Sequence, residues 1–182
     1  MKTHTVLFAA PITPAVANEF IQTLAQLHRD GATHVVLAMN SNGGHVQSGM
    51  FMYNVLCSMP FELTTHNIGN VDSIANVIFL SGKQRYTCQA ATFMYHGVGF
   101  DLTANQRLEE KQLEGLLDTV LADQQRMSDV ISSRTSLSTG ACMELFKNQK
   151  TRDAAWAKQN GLVSEIRDFT YPDDGDIIIF SR

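Results

Sequence analysis

His34-Val35-Val36-Leu37-Ala38-Met39 is a nearly continuous apolar run. A strand apolar on both faces belongs inside a parallel sheet that is covered on both sides. Upstream, Thr5-Val6-Leu7-Phe8 reads as a first strand. Thr13-Pro14 marks a helix start, a capping hydroxyl followed by proline at the first helical position. Val16, Phe20, Leu24 and Leu27 share one face of that helix, and Gly31 is its stop. Strand, helix and strand within about 35 residues make a right-handed βαβ unit.

Downstream, the run opens into Asn40-Ser41-Asn42-Gly43-Gly44-His45. Adjacent glycines after a buried strand let the backbone take positive φ and approach a ligand closely. A helix is predicted over Val46 to Ser58 and a third strand over Phe61 to Ile68. Gly69-Asn70-Val71-Asp72-Ser73-Ile74-Ala75-Asn76 then turns from strand into a short helix closing at Gly82, with Ser73 in its first turn. Arg85 to Thr87 and Thr92 to Tyr95 read as strands, the second ending at His96.

From Leu102 to about Ser133 one long helical pattern carries a narrow stripe that includes Leu113, Leu117, Leu121, Met127 and Ile131. A helix of about 30 residues is about 45 Å long. That exceeds what a domain of this size covers, so part of the stripe is expected to meet another subunit. Shorter helices are predicted over Ser138 to Phe146 and, capped by Asp153, over Ala154 to Asn160. Leu162 to Ile166 reads as a core strand, and Ile177 to Phe180 as an edge strand or a partner-binding tail. The whole chain, 1–182, reads as one α/β domain of repeated β-α units, with the tail from 170 to 182 unassigned.

Composition narrows the function classes. The chain has 182 residues, 44% hydrophobic and 18% charged, which suits a globular domain with a substantial core. A net charge of −4 without a basic run argues against nucleic acid and anionic membrane as partners. Cys57, Cys88 and Cys142 are widely spaced and odd in number, which reads as reduced thiols in a cytoplasmic protein with no metal motif. No apolar run reaches the length of a membrane span, and no secretory leader is visible.

The chemistry-bearing residues are Gly44, Ser73 and His96. Acyl transfer needs a nucleophile with a base, and two N–H donors for the oxyanion. A serine at a helix start has unpaired backbone N–H groups beside it. Taken singly, such a serine can be only a cap, the histidine only structural, and the glycines only a turn.

In order and spacing these segments resemble the proteolytic subunit of Clp protease, the ClpP family of the crotonase-like fold group. Asn40-Ser41-Asn42-Gly43-Gly44 looks like the family's Asn-Ser-Pro-Gly-Gly oxyanion loop, with Asn42 in place of the proline. The register from Gly44 to Ser73 matches without a gap. Gly69 to Ala75 resembles the Gly-x-x-x-Ser nucleophile segment, and Phe93-Met94-Tyr95-His96 the strand ending in the catalytic histidine. The long helix, about 102–133, is similar to the handle helix through which two rings stack, and Gly161-Leu162-Val163 matches the family's closing motif. The resemblance spans roughly residues 5 to 166.

It implies Ser73 as nucleophile, His96 as general base, and the Gly44 and Ile74 amides as the oxyanion hole. It implies no cofactor, peptides or unfolded proteins as substrates, and a homo-oligomer of stacked rings. Three departures stand out. Aligned back from Gly161, the family's catalytic Asp falls on Gln149, with Asn148 as the alternative. Such an amide is expected behind His96 Nδ1, where it can orient the ring but carries no charge. Asp72 stands where the family has a small residue. The sequence also begins almost at its first strand, where the family has a segment facing an ATPase, so an ATPase partner is left open. Two further readings are a ring subunit that only scaffolds and a crotonase-fold activity on coenzyme A substrates.

Overall fold

The computed structural model describes residues 2–99, 107–172 and 177–181. It is a mixed α/β structure with one eight-stranded sheet among these residues. β1 (Thr3–Ala9), β2 (His34–Ser41) and β3 (Glu62–Asp72) lie side by side and parallel. α1 (Pro14–Arg29) connects the first two strands and α2 (Val46–Ser58) the next two. Thr13 caps α1 by accepting from Val16 N–H, and Gly31 leaves the helix at φ 78°. Val16, Phe20, Leu24 and Leu27 are all buried, so the face read from the spacing is the face that packs.

β3 divides the sheet. Its first half, Thr64 to Asn67, pairs with β4 (Gln84–Thr87), and its second half, Asn70 to Asp72, pairs with β5 (Thr92–Met94). β2 and β3 shift register between Met39 and Ser41. The Asn40 side chain fills the break, accepting from Asn70 N–H at 3.1 Å. β3 is therefore longer than the strand read over Phe61 to Ile68, and it delivers Ser73 directly. α3 (Ala75–Phe79) follows and is buried on every side.

α4 (Glu110–Arg134) runs through Gly115 without a break, a length of about 38 Å. The predicted start near Leu102 lies outside the described residues. Only Asp123, Met127, Ser128 and Ile131 of α4 are buried. Leu113, Leu117 and Leu121 remain 52%, 58% and 50% exposed along one line of its first half. α5 (Thr139–Lys147) is capped by Ser138, and α6 (Ala154–Gln159) by Asp153, which accepts from Trp156 N–H at 2.8 Å.

Two boundaries differ from the sequence reading. The strand expected over Leu162 to Ile166 contracts to β7 (Glu165–Ile166). Gly161 at φ 72° closes α6, and Leu162 N–H bonds Ala157 O at 2.9 Å, so this backbone serves the helix end and only its side chains enter the core. β6 (Thr151–Asp153), not foreseen, pairs antiparallel with β5. The tail does form an edge strand, β8 (Ile177–Ser181), parallel to β1. Its Phe180 joins Phe8 and Phe20 in an aromatic cluster, with centroids 6.2 and 5.5 Å away. Among the described residues no helix is long and apolar enough to cross a membrane.

Candidate active site

Ser73 sits between the end of β3 and α3 with φ 55°, a left-handed backbone that a non-glycine residue adopts only under constraint. The constraint is visible. Ser73 N–H donates to Met94 O at 2.8 Å, and Ser73 O accepts from Asn76 N–H at 3.1 Å and from Asn76 Nδ2 at 3.0 Å. Asn76 Nδ2 also donates to Met94 O at 2.9 Å, tying the turn to β5. Ser73 therefore precedes the helix, with Ile74 as its cap residue, and its hydroxyl caps nothing. Asn76 was not singled out in the sequence. Its only signal there is an amide three residues after Ser73, in an otherwise apolar short helix.

The glycine loop lies against this turn. At Gly43 (φ 84°) a Cβ would come within 2.7 Å of Asp72 O and 2.8 Å of Ser73 Cβ. At Gly44 (φ 145°) the place of a Cβ is filled by the Ile12 backbone. Gly43 O accepts from Ile12 N–H, and Ile12 O accepts from His45 N–H, each at 2.8 Å. Ser41 Oγ accepts from Gly43 N–H. That leaves the N–H groups of Gly44 and Ile74 with no hydrogen-bond partner among the described residues. Two unpaired amides, one on each side of the contact between loop and serine turn, suit a developing oxyanion.

His96 follows β5 by two residues and is half-buried. Its Nδ1 is 2.9 Å from Gly97 O. A carbonyl can only accept, so Nδ1 carries the proton and Nε2 is the basic nitrogen of the neutral ring. The amide expected behind Nδ1 is absent from that position. Asn148 donates to its own helix, to Glu144 O and Glu144 Oε2, both at 2.9 Å. Gln149 is exposed at φ 48° in the turn after α5. The physical reason is the left-handed exit from α5, which turns Gln149 outward and leaves Asn148 to satisfy the helix end.

Asp72 does not cap α3. Its Oδ2 accepts from Asn70 Nδ2 at 2.6 Å, and Asn70 Nδ2 also reaches Asn42 Oδ1 at 2.8 Å. Asp72 Oδ1 is buried with no hydrogen-bond partner among the described residues. Burial pushes the carboxyl above its usual range. The Asn70 amide, the Met94 backbone and the charge of a protonated His96 oppose that shift. Asp72 thus places a carboxyl at the end of the strand that carries the serine.

The family model for Clp protease matches residues 1–169. The chain belongs to the Clp protease family. It is 28% identical over 161 residues to ATP-dependent Clp protease proteolytic subunit 2 of Tropheryma whipplei (strain Twist), covering 86% of each sequence. Its fold superposes on a mutant ClpP1 from Listeria monocytogenes with a TM-score of 0.81, at 20% identity, covering 91% of this chain and 92% of the other. As a Clp protease family member the chain is a protease-type hydrolase by family, with an α/β fold to match.

Next to Gly44 this Clp-family fold holds a cavity of about 580 Å³. Its walls include Ile12, Pro14, Val46 and Val98, with Thr119 and Asp123 contributed by α4. In the sequence Asp123 is one of several charged residues off the apolar stripe of the long helix. In the structure it is 7% exposed.

Proposed function

We propose that this chain is a serine peptidase of the Clp type that cleaves peptides or unfolded polypeptides through an acyl-enzyme, in a ring of like subunits. The observation that carries the reading is the Ser73 turn: a left-handed serine, uncapped, held by Asn76 and pressed against a glycine loop with a free amide. His96 Nε2 takes the Ser73 Oγ proton as Oγ attacks the scissile carbonyl. The Gly44 and Ile74 N–H groups hold the oxyanion. His96 returns the proton to the leaving amine, and water then hydrolyses the ester with His96 again as base. Gly97 O holds the ring tautomer without supplying charge. Replacing the triad carboxylate in a serine protease costs about 10⁴ in rate, so slow turnover is expected here unless Asp72 compensates. The uncovered line of Leu113, Leu117 and Leu121 on α4 supports assembly through that helix.

A second reading, a ring subunit that scaffolds without turnover, is favoured by the outward Gln149 and the self-satisfied Asn148. One experiment separates the two. A fluorophosphonate probe should label wild type and spare Ser73→Ala, with His96→Gln labelling much more slowly. Equal labelling of wild type and Ser73→Ala would remove Ser73 as nucleophile. No labelling of either would leave the scaffold reading.

A further inference from the structure

The cavity beside Gly44 contains one feature that the peptidase reading leaves unused, the buried carboxylate of Asp123. The structure assigns this cavity, we propose, as the pocket for the substrate side chain on the acyl side of the scissile bond, and Asp123 as its selector for a cationic side chain. The inference rests on the reading of Gly44 as an oxyanion donor. A carbonyl held at that amide brings the side chain of its own residue beside the glycine loop, and Gly44 itself lines this cavity.

The lining is two-part. Ile12, Pro14, Val46 and Val98 form apolar walls, suited to the methylene stem of lysine or arginine. Asp123 and Thr119, one turn apart on α4, supply oxygen acceptors. The Asp123 side chain is 10% exposed, whereas its partner Arg126 is 47% exposed. Arg126 Nη2 engages only Oδ1, and Oδ2 has no hydrogen-bond partner among the described residues. A buried carboxylate held by a solvent-facing neighbour is open to competition: an incoming cation can take Oδ2 directly or displace Arg126 into water. A neutral side chain can do neither, and an anionic one is repelled. An apolar side chain would fill the walls and leave the carboxylate desolvated with one unpaired oxygen, which disfavours it.

The test uses binding, so that it does not depend on turnover. Fluorescently labelled Ala-Ala-Ala-Arg and Ala-Ala-Ala-norleucine amides are titrated into Ser73→Ala protein, into the same protein carrying Asp123→Asn, and into the same protein carrying Arg126→Gln. Norleucine matches the stem and lacks the charge. The expected result is at least about tenfold tighter binding of the arginine peptide at low salt. That preference should fall to about twofold or less with Asp123→Asn and should rise with Arg126→Gln, which removes the competing guanidinium. Equal or tighter binding of norleucine, no saturable binding of either peptide, or a preference untouched by Asp123→Asn would each overturn the assignment. Should Asp123→Asn fail to fold, Arg126→Gln decides, since an unchanged or weaker preference there also overturns it. Absence of probe labelling at Ser73 in wild type would defeat the peptidase reading while leaving this binding result standing.

Discussion

Asp72 illustrates what a single charge does beside a candidate nucleophile. Its folded-state titration lies above the usual carboxylate range because burial penalises the anion more than Asn70, Met94 and His96 favour it. The sign follows from linkage. Below the unfolded carboxylate's titration, about pH 3.9, Asp72 is protonated in both states and costs nothing. As pH rises through the raised folded value, the folded state must carry a poorly solvated charge and loses stability relative to the unfolded chain. Asp72→Asn keeps an acceptor for Asn70 Nδ2 and removes that penalty. The variant should therefore unfold at a higher urea midpoint than wild type at pH 7, with the difference shrinking toward pH 4. A difference independent of pH would show that Asp72 is not desolvated in the folded state. Asn76 works in the opposite sense, since its two donations offset the strain of a left-handed Ser73, a strain of about 1–3 kcal/mol.

At the scale of elements, Arg85 is the joint that holds the end of α4 to the sheet. From β4 its Nε donates to Leu162 O at 2.7 Å. Its terminal nitrogens donate to Gly82 O, Arg134 O and Gly161 O, each at 3.1 Å. These carbonyls close α4, the turn after α3 and the turn after α6, the places where helices leave acceptors unpaired. Burial lowers the Arg85 titration from its ordinary value, with the nearby Arg134 charge adding to the effect. Arg85→Ala takes the donor from four part-buried carbonyls and should cost about 3 kcal/mol. Arg85→Lys should recover less than half of that loss, because one ammonium cannot span a set of acceptors matched to a planar fork. Chemical denaturation followed by circular dichroism checks both. Full rescue by lysine would mean that charge alone, and not the fork, makes the joint.

On the scale of the whole molecule, the apolar line Leu113, Leu117 and Leu121 is the unfinished surface. The second half of α4 packs on α5 and α3, whereas the first half presents three half-exposed leucines four residues apart. Covering a leucine fully contributes about 1.5–3 kcal/mol, so a facing copy would gain severalfold that over the stripe. The triple change Leu113→Glu, Leu117→Glu and Leu121→Glu should shift sedimentation to a smaller species while far-ultraviolet circular dichroism stays near wild type. An unchanged sedimentation coefficient would place assembly on another surface. Loss of helix signal as well would mean that the stripe serves the subunit's own fold.

Local patterns carried most of the architecture. A run apolar on both faces places β2 inside a parallel sheet, and the 3.6-residue spacing of Val16, Phe20, Leu24 and Leu27 names the buried face of α1. Thr13, Ser138 and Asp153 announce helix starts through chemistry that reaches only three residues ahead. Gly44, Ser73 and His96 each sit at the end of a recognisable element, and their order along the chain pointed to the candidate site through the resemblance to the ClpP family. What only the tertiary structure decided are contacts between distant segments. These are the division of β3 between β4 and β5, the pairing of β8 with β1, Gly97 O behind His96 where Gln149 or Asn148 was expected, and Asp123 turned into a cavity beside Gly44. Periodicity states which face of an element is covered. It does not state which neighbour covers it, because that depends on how the helices close back onto the sheet, and a left-handed turn of one residue at Gln149 is enough to redirect a side chain.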